Sequence, residues 1–192
     1  PISSALEAEA FDQNIQIPAL FTAYRIPDQT TRESKILDMI STYLSDGKSS
    51  KLYRKLVDEQ KMSLQVAAFN FSLEEYGMYV ILTLPQGETS LAVLRDEIDE
   101  EIEKIQTSLI SQKDYEKLLN KFESRFVSSN ASVEGIANSL AEYYTFYRDT
   151  NLINSEIDIY RSITREEIRD VANKYLNAKQ RLTLNYLPES KK

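Results

Sequence analysis

The 192-residue sequence has no histidine, no cysteine and no tryptophan, and holds only four glycines and five prolines. Each shortage excludes something. Without cysteine there is no disulfide, no thiol nucleophile and no thiolate metal site. Without histidine there is no imidazole base, no Ser-His-Asp triad and no H-x-x-E-H zinc helix. Chemistry performed by this polypeptide alone would have to come from carboxylates, Lys, Tyr, Ser or Thr. Nine Gly and Pro residues in total are too few for the turns of a many-stranded sandwich, so helices should dominate. No apolar run approaches the ~20 residues that span a bilayer. Basic side chains are outnumbered 23 to 30, giving a net charge of −7. That balance argues against a nucleic-acid partner, whose phosphates are bound mostly by supplied cations. The first residue is Pro1 and no charged-then-apolar leader follows it, so the sequence reads as a soluble piece of something longer. A chain of this size buries roughly 70 % of the surface its unfolded form exposes, enough for one good core.

What is present divides into elements. Residues 1–14 are rich in Ala, Glu and Ser with no clear period and read as a linker or lead-in, leaving 15–192 as a single domain. Ile15–Arg25 reads as a strand, with Pro18 at an early or edge position. Thr30 or Thr31 can cap a helix carrying Ile36, Leu37, Ile40, Tyr43 and Leu44, and Gly47 suits its left-handed stop. Ser49 or Ser50 can cap a second, short helix with Leu52, Tyr53, Leu56 and Val57. Two strand-like runs, Ser63–Leu73 and Met78–Pro85, flank Glu74-Glu75-Tyr76-Gly77 and predict a hairpin. The second run is nearly all apolar and should lie inside the sheet. From Thr89 onward the spacing is helical, with Leu91, Leu94, Ile98, Ile102, Ile105 and Leu109 on one stripe. Ser111 and Thr164 open further helices, a third stretch runs near Val133–Tyr147, and Arg181–Leu187 is a last strand. This order predicts an α+β fold: a mostly antiparallel sheet with helices packed on one face.

Few motifs carry chemistry. Gly47-Lys48-Ser49 copies the tail of a phosphate-binding loop, but the required upstream Gly is Thr42 and a helix precedes the loop, so a helix stop is the better reading. Ser45-x-x-Lys48 matches the spelling of penicillin-recognising enzymes without their other elements. The acidic run Asp96, Glu97, Asp99, Glu100, Glu101 and Glu103 reads as a solvated helix face rather than a metal site. Tyr143, Tyr144, Phe146 and Tyr147 cannot all face one way, and Tyr143, Tyr144 and Tyr147 are candidates for a partner interface. Asn70 and Asn130 open glycosylation sequons, meaningful only in a eukaryotic secretory pathway.

Leu37-Asp38-x-Ile40-Ser41-x-x-Leu44-x-x-Gly47-Lys48-Ser49-Ser50-Lys51-Leu52-Tyr53-Arg54-x-Leu56-Val57 resembles a segment of the pitrilysin/insulinase family of zinc metallopeptidases, which includes the mitochondrial processing peptidases. The strand with Pro18 and Tyr24, the hairpin, and the ending from Ile163-Thr164 through Tyr175-Leu176 to Pro188 follow the family's order. The likeness is to the non-zinc domain that follows the metal-bearing one. It implies a processing-peptidase-like fold and a chamber closed around an unfolded peptide, with zinc held by another domain on an H-x-x-E-H helix.

The resemblance therefore implies a noncatalytic domain forming chamber wall around a peptide substrate, beside a zinc-bearing domain in the same chain or a separate subunit. The alternative is an assembly domain from an inactive relative, like the family members that serve as scaffold subunits of respiratory complexes; an unrelated α+β binding module is the third class. No catalytic or metal residue is implied in this chain, and no cofactor of its own. The Arg and Tyr that contact substrate in many members fall on Val57 and Leu64, so that pair is absent. The acidic balance would bias the chamber or exterior towards cationic peptides. For compartment, a bacterial periplasm, envelope or cytoplasm stands ahead of a mitochondrion.

Overall fold

The computed structural model describes residues 3–189; positions 1–2 and 190–192, at the ends of the 1–14 and 15–192 stretches, lie outside them. Five strands form one sheet: β1 (Leu6–Asp12), β2 (Ala19–Pro27), β3 (Ser63–Phe71), β4 (Tyr76–Pro85) and β5 (Arg181–Pro188). Their spatial order is β1-β5-β2-β4-β3. Only the β1–β5 pair is parallel, and the other three pairings are antiparallel. The expected architecture is found, with one correction. Residues 6–12, read as part of a lead-in, are an edge strand. β1 escapes a periodicity search because it is mostly exposed on both faces, so nothing selects alternation.

Six α-helices lie on one side of the sheet: α1 (Arg32–Ser45), α2 (Leu91–Thr107), α3 (Gln112–Ser129), α4 (Val133–Glu142), α5 (Leu152–Ser162) and α6 (Arg165–Tyr175). Short π-helical segments follow at Tyr53–Glu59 and Tyr143–Tyr147. Helices α1, α2 and α6 contact the strands, while α3 and α5 pack on α1 as an outer layer. The core is the seam between sheet and inner helices. Leu37, Ile40 and Leu44 of α1 and Leu94 and Ile98 of α2 are fully buried against Leu20, Tyr24, Tyr79 and Ile81. Each fully buried aliphatic side chain of this size contributes about 2 kcal/mol.

Local chemistry sets the boundaries. The Thr31 hydroxyl accepts from the Ser34 N–H at the start of α1, and Gly47 takes φ +84° just beyond its end, where a side chain would be strained. Ser111 caps α3 in the same way. Ser50 does not cap the following segment; its hydroxyl donates to the Gly47 carbonyl at 2.7 Å. Thr164 and Glu167 form a reciprocal capping box at α6.

Glu167 also accepts from Arg32 Nε at 2.7 Å and from Arg32 Nη2 at 2.9 Å, joining α6 to α1. The Arg32 guanidinium, with the Thr164 N–H, outweighs burial and holds the carboxyl at about 2. Its folded-state pKa is thus below the unfolded value of 4.5. The stabilisation is complete above about pH 4.5 and fades as pH falls towards 2. The pair is more than a third exposed, so solvent screening reduces it to about 1 kcal/mol. Glu167→Gln is expected to cost that amount at pH 7 and to flatten the acid limb of a urea-denaturation series between pH 4.5 and 2.

Candidate functional site

Among the described residues, the face of the sheet turned away from the helices has no cover. Alternation along each strand places Phe21 and Ala23 of β2, Phe69 and Phe71 of β3, Met78, Val80, Leu82 and Leu84 of β4, and Leu182, Leu184 and Tyr186 of β5 on that face, with Leu6, Ala8 and Ala10 at its edge. The registers bring them side by side: Ala23 opposite Val80, Val80 opposite Phe69, Phe21 opposite both Leu82 and Leu184. Phe69 stacks on Phe71 with centroids 5.4 Å apart, and Phe21 meets Tyr186 edge to face. Met78 is 54 % exposed and Phe71 49 %. A continuous, largely apolar surface across the strands is far more than the scattered apolar residues of an ordinary surface.

Two charges stand among these strand positions. Arg25 lies with its guanidinium 4.2 Å over the Tyr76 ring, and Asp12, at the far corner, accepts from the Tyr186 hydroxyl, which holds its carboxyl below the ordinary range. Most of the acidic residues lie elsewhere, on the helices and the β3–β4 turn, with Glu7 and Glu9 on the other side of β1.

β4 shows why this surface has no signature of its own in the sequence. Its near-continuous apolar run predicts a strand inside the sheet, and it is one, paired on both edges. Yet its burial alternates strictly, with Tyr79, Ile81 and Thr83 buried and Met78, Val80, Leu82 and Leu84 not. Apolar residues on the uncovered side are the signal, and they look the same in sequence as a strand covered on both faces.

The other candidate residues are structural or dispersed. Gly47-Lys48-Ser49 is a helix stop whose basic neighbours are engaged: Lys121 donates to the Asp46 carbonyl at 2.8 Å, Lys51 pairs with Asp114 at 2.9 Å, and Lys117 bonds Ser49. The acidic run on α2 is only partly a solvated face. Lys55 pairs with Glu97 and Glu100 at 2.7 Å and with Glu101 at 3.3 Å, and Asp99 pairs with Arg181. Val57 lies half-buried in the first π-helical segment. Leu64 sits at a register irregularity between Ser63 and Gln65 that turns it outward, 49 % exposed. Asn70 gives its amide to the Ser34 carbonyl at 2.9 Å and to Asp38 at 2.8 Å, so its side chain is committed within the fold.

The aromatic cluster divides. Tyr143 is buried and its hydroxyl donates to Glu156 at 2.6 Å; Tyr147 is half-buried and donates to the Gln29 carbonyl at 2.8 Å. Glu156 also takes Lys35 at 2.6 Å. Burial acts to lower the Lys35 pKa, but Glu156 and Tyr147 outweigh it and keep the ammonium charged. Of the three tyrosines only Tyr144 faces solvent, at 59 % exposure.

The chain does not fit a zinc ion. It has no His and no Cys, and among the described residues no three Asp or Glu side chains are arranged to hold a metal. The carboxylates that do gather around Lys55 neutralise that lysine instead.

The family model described as the peptidase M16 inactive domain matches residues 7–122. The chain is 26 % identical over 168 residues to a zinc protease, PqqE, of Helicobacter pylori, covering 86 % of this chain and 37 % of that protein. It thus spans little more than a third of that relative's length. The fold superposes with a TM-score of 0.89 on a protease from Helicobacter pylori, at 22 % identity, covering 96 % of this chain and 45 % of the other. It superposes with a TM-score of 0.80 on the inactive peptidase domain of a Bordetella parapertussis protein, at 21 % identity, covering 94 % of this chain and 96 % of the other. The family match spans four of the five strands and helices α1 and α2, and it settles the assignment: this chain is an inactive, noncatalytic domain of the peptidase M16 family.

Proposed function

We propose that this domain works as part of a zinc peptidase, with the zinc carried by another domain of the same chain or by a separate subunit. The observation that carries the reading is the bare apolar sheet face. A five-stranded sheet that leaves Phe69, Phe71, Met78, Val80, Leu82 and Leu184 uncovered is half of an interface. Turned inward, it packs against the zinc-bearing domain and completes one wall of the space in which a peptide is held. The zinc domain supplies the metal and its activated water; this chain supplies rigid surface, and enclosure raises rate by orienting substrate and excluding solvent. Nothing in that role needs an ionisable catalytic group, which agrees with the absence of histidine and cysteine. The similarity to a zinc protease supports the reading.

The test is association. This chain and the zinc-bearing domain, expressed separately, should sediment as a 1:1 complex in analytical ultracentrifugation, and the signal of solvent-exposed apolar surface from a dye such as ANS should fall on mixing. Independent sedimentation of the two folded domains would contradict the proposal.

A further inference from the structure

The β3–β4 turn and the π-helical segment Tyr143–Tyr147 stand as two walls of a groove of about 520 Å³, lined by Gln29, Leu73, Glu74, Glu75, Tyr76 and Phe146. Its apolar part is unusually open, with Leu73 65 % exposed and Tyr76 51 %. Its polar part is two adjacent carboxylates, Glu74 and Glu75, which have no cation within salt-bridge distance among the described residues. Three nearby cations have other partners. Arg25 lies over the Tyr76 ring, Lys174 pairs with Glu33 at 3.1 Å, and Lys35 is held by Glu156.

The walls are fixed relative to one another before anything binds. Gln29 ties them together, its N–H donating to the Leu73 carbonyl at 2.9 Å and its own carbonyl accepting from the Tyr147 hydroxyl at 2.8 Å. Behind the second wall, Glu156 accepts from Tyr143 and Lys35, both at 2.6 Å. A ligand entering this groove therefore meets a preformed apolar cleft with two unneutralised carboxylates at its rim, and little ordering is needed to bind it.

We propose that this groove binds an extended peptide segment in which Arg or Lys stands beside an apolar residue. The cation pairs with Glu74 and Glu75, and the apolar side chain lies against Leu73, Tyr76 and Phe146. Charge complementarity selects the occupant: a neutral or acidic segment leaves the two carboxylates unpaired or repelled. The bare sheet face lacks such a selector, so this groove would give the domain its preference among peptides. The inference rests on the reading of the domain as one that handles peptides.

Fluorescence anisotropy tests it with a labelled Gly/Ser-framed peptide carrying a central Leu-Arg-Leu, and with the same peptide in which citrulline, neutral and nearly isosteric, replaces the Arg. The wild-type chain should bind the Arg peptide about tenfold more tightly, the difference made by one charge-assisted pairing. Glu74→Gln/Glu75→Gln should bring the two peptides to equal affinity while leaving the circular dichroism spectrum unchanged. Leu73→Ser should weaken both peptides alike. Equal binding of the two peptides by the wild type, or a preference that survives the double substitution, would overturn the proposal. Cleavage by the assembled peptidase without this preference overturns the groove alone. The preference without any cleavage leaves the groove standing and counts against the peptidase reading.

Discussion

Gly77→Ala is expected to destabilise the domain by about 3 kcal/mol or more, seen as a lower urea midpoint at unchanged slope. The reason is steric and local. Gly77 is the second residue of β4, buried directly behind the turn that leads back from β3. A Cβ there would lie 2.1 Å from the Phe71 carbonyl oxygen and 2.6 Å from the Ser72 Cα. Both are backbone atoms, one at the end of β3 and one in the residue that follows it, so no side chain can swing aside to make room. Relief would require the hairpin to open at Phe71–Met78, the last register pair before the turn. The same movement would shift Leu73 and Tyr76 and so distort the groove. Gly87 provides the control. It takes φ +62° but a Cβ would meet nothing within 4 Å, so Gly87→Ala should cost about 1 kcal/mol, from conformational strain alone. Equal effects at the two positions would contradict the steric argument.

The hairpin itself was legible, because two apolar runs separated by Glu74-Glu75-Tyr76-Gly77 leave little alternative. So were α1, α2, α3 and α6, whose stripes and caps agree at every level: Thr31, Ser111 and Thr164 each accept the backbone N–H expected of them. The misses have physical causes. β1 carries no pattern because neither of its faces is deeply buried. Helix α5, Leu152–Ser162, has little signature in sequence because it buries one residue, Ile157, and has no side-chain cap. The π-helical segments cannot be read from a 3.6-residue period that they break. The sheet face was invisible for a different reason: sequence shows which residues are apolar, not which of two apolar faces will find a cover. Nor does sequence show which tyrosine of a cluster turns inward: Tyr143 and Tyr147 bond Glu156 and Gln29, and Tyr144 faces solvent.

Placing a charge on the bare face should separate folding from assembly. Val80 lies midway along β4 on that face, between Ala23 of β2 and Phe69 of β3. In the isolated domain, Val80→Asp puts a carboxylate on a half-exposed position, where water solvates it, and the cost should stay near 1 kcal/mol. In the assembled peptidase the same carboxylate is buried opposite an apolar partner with no counter-charge, a penalty of about 3 kcal/mol or more. Association and cleavage should each fall by roughly 100-fold, while Val80→Leu keeps both. If Val80→Asp assembled and cleaved like the wild type, the bare face would not be the interface.

The central claim is that this chain contributes structure, and not chemistry, to a working zinc peptidase. Cleavage of an unfolded-peptide pool tests it most directly, comparing this chain alone, the zinc-bearing domain alone and the two together, each with and without a chelator. The account predicts cleavage only by the combination, abolished by the chelator and restored by zinc. Cleavage by this chain alone, or no cleavage by a folded, zinc-loaded combination, would contradict it; the second result would point to an assembly role in an inactive relative.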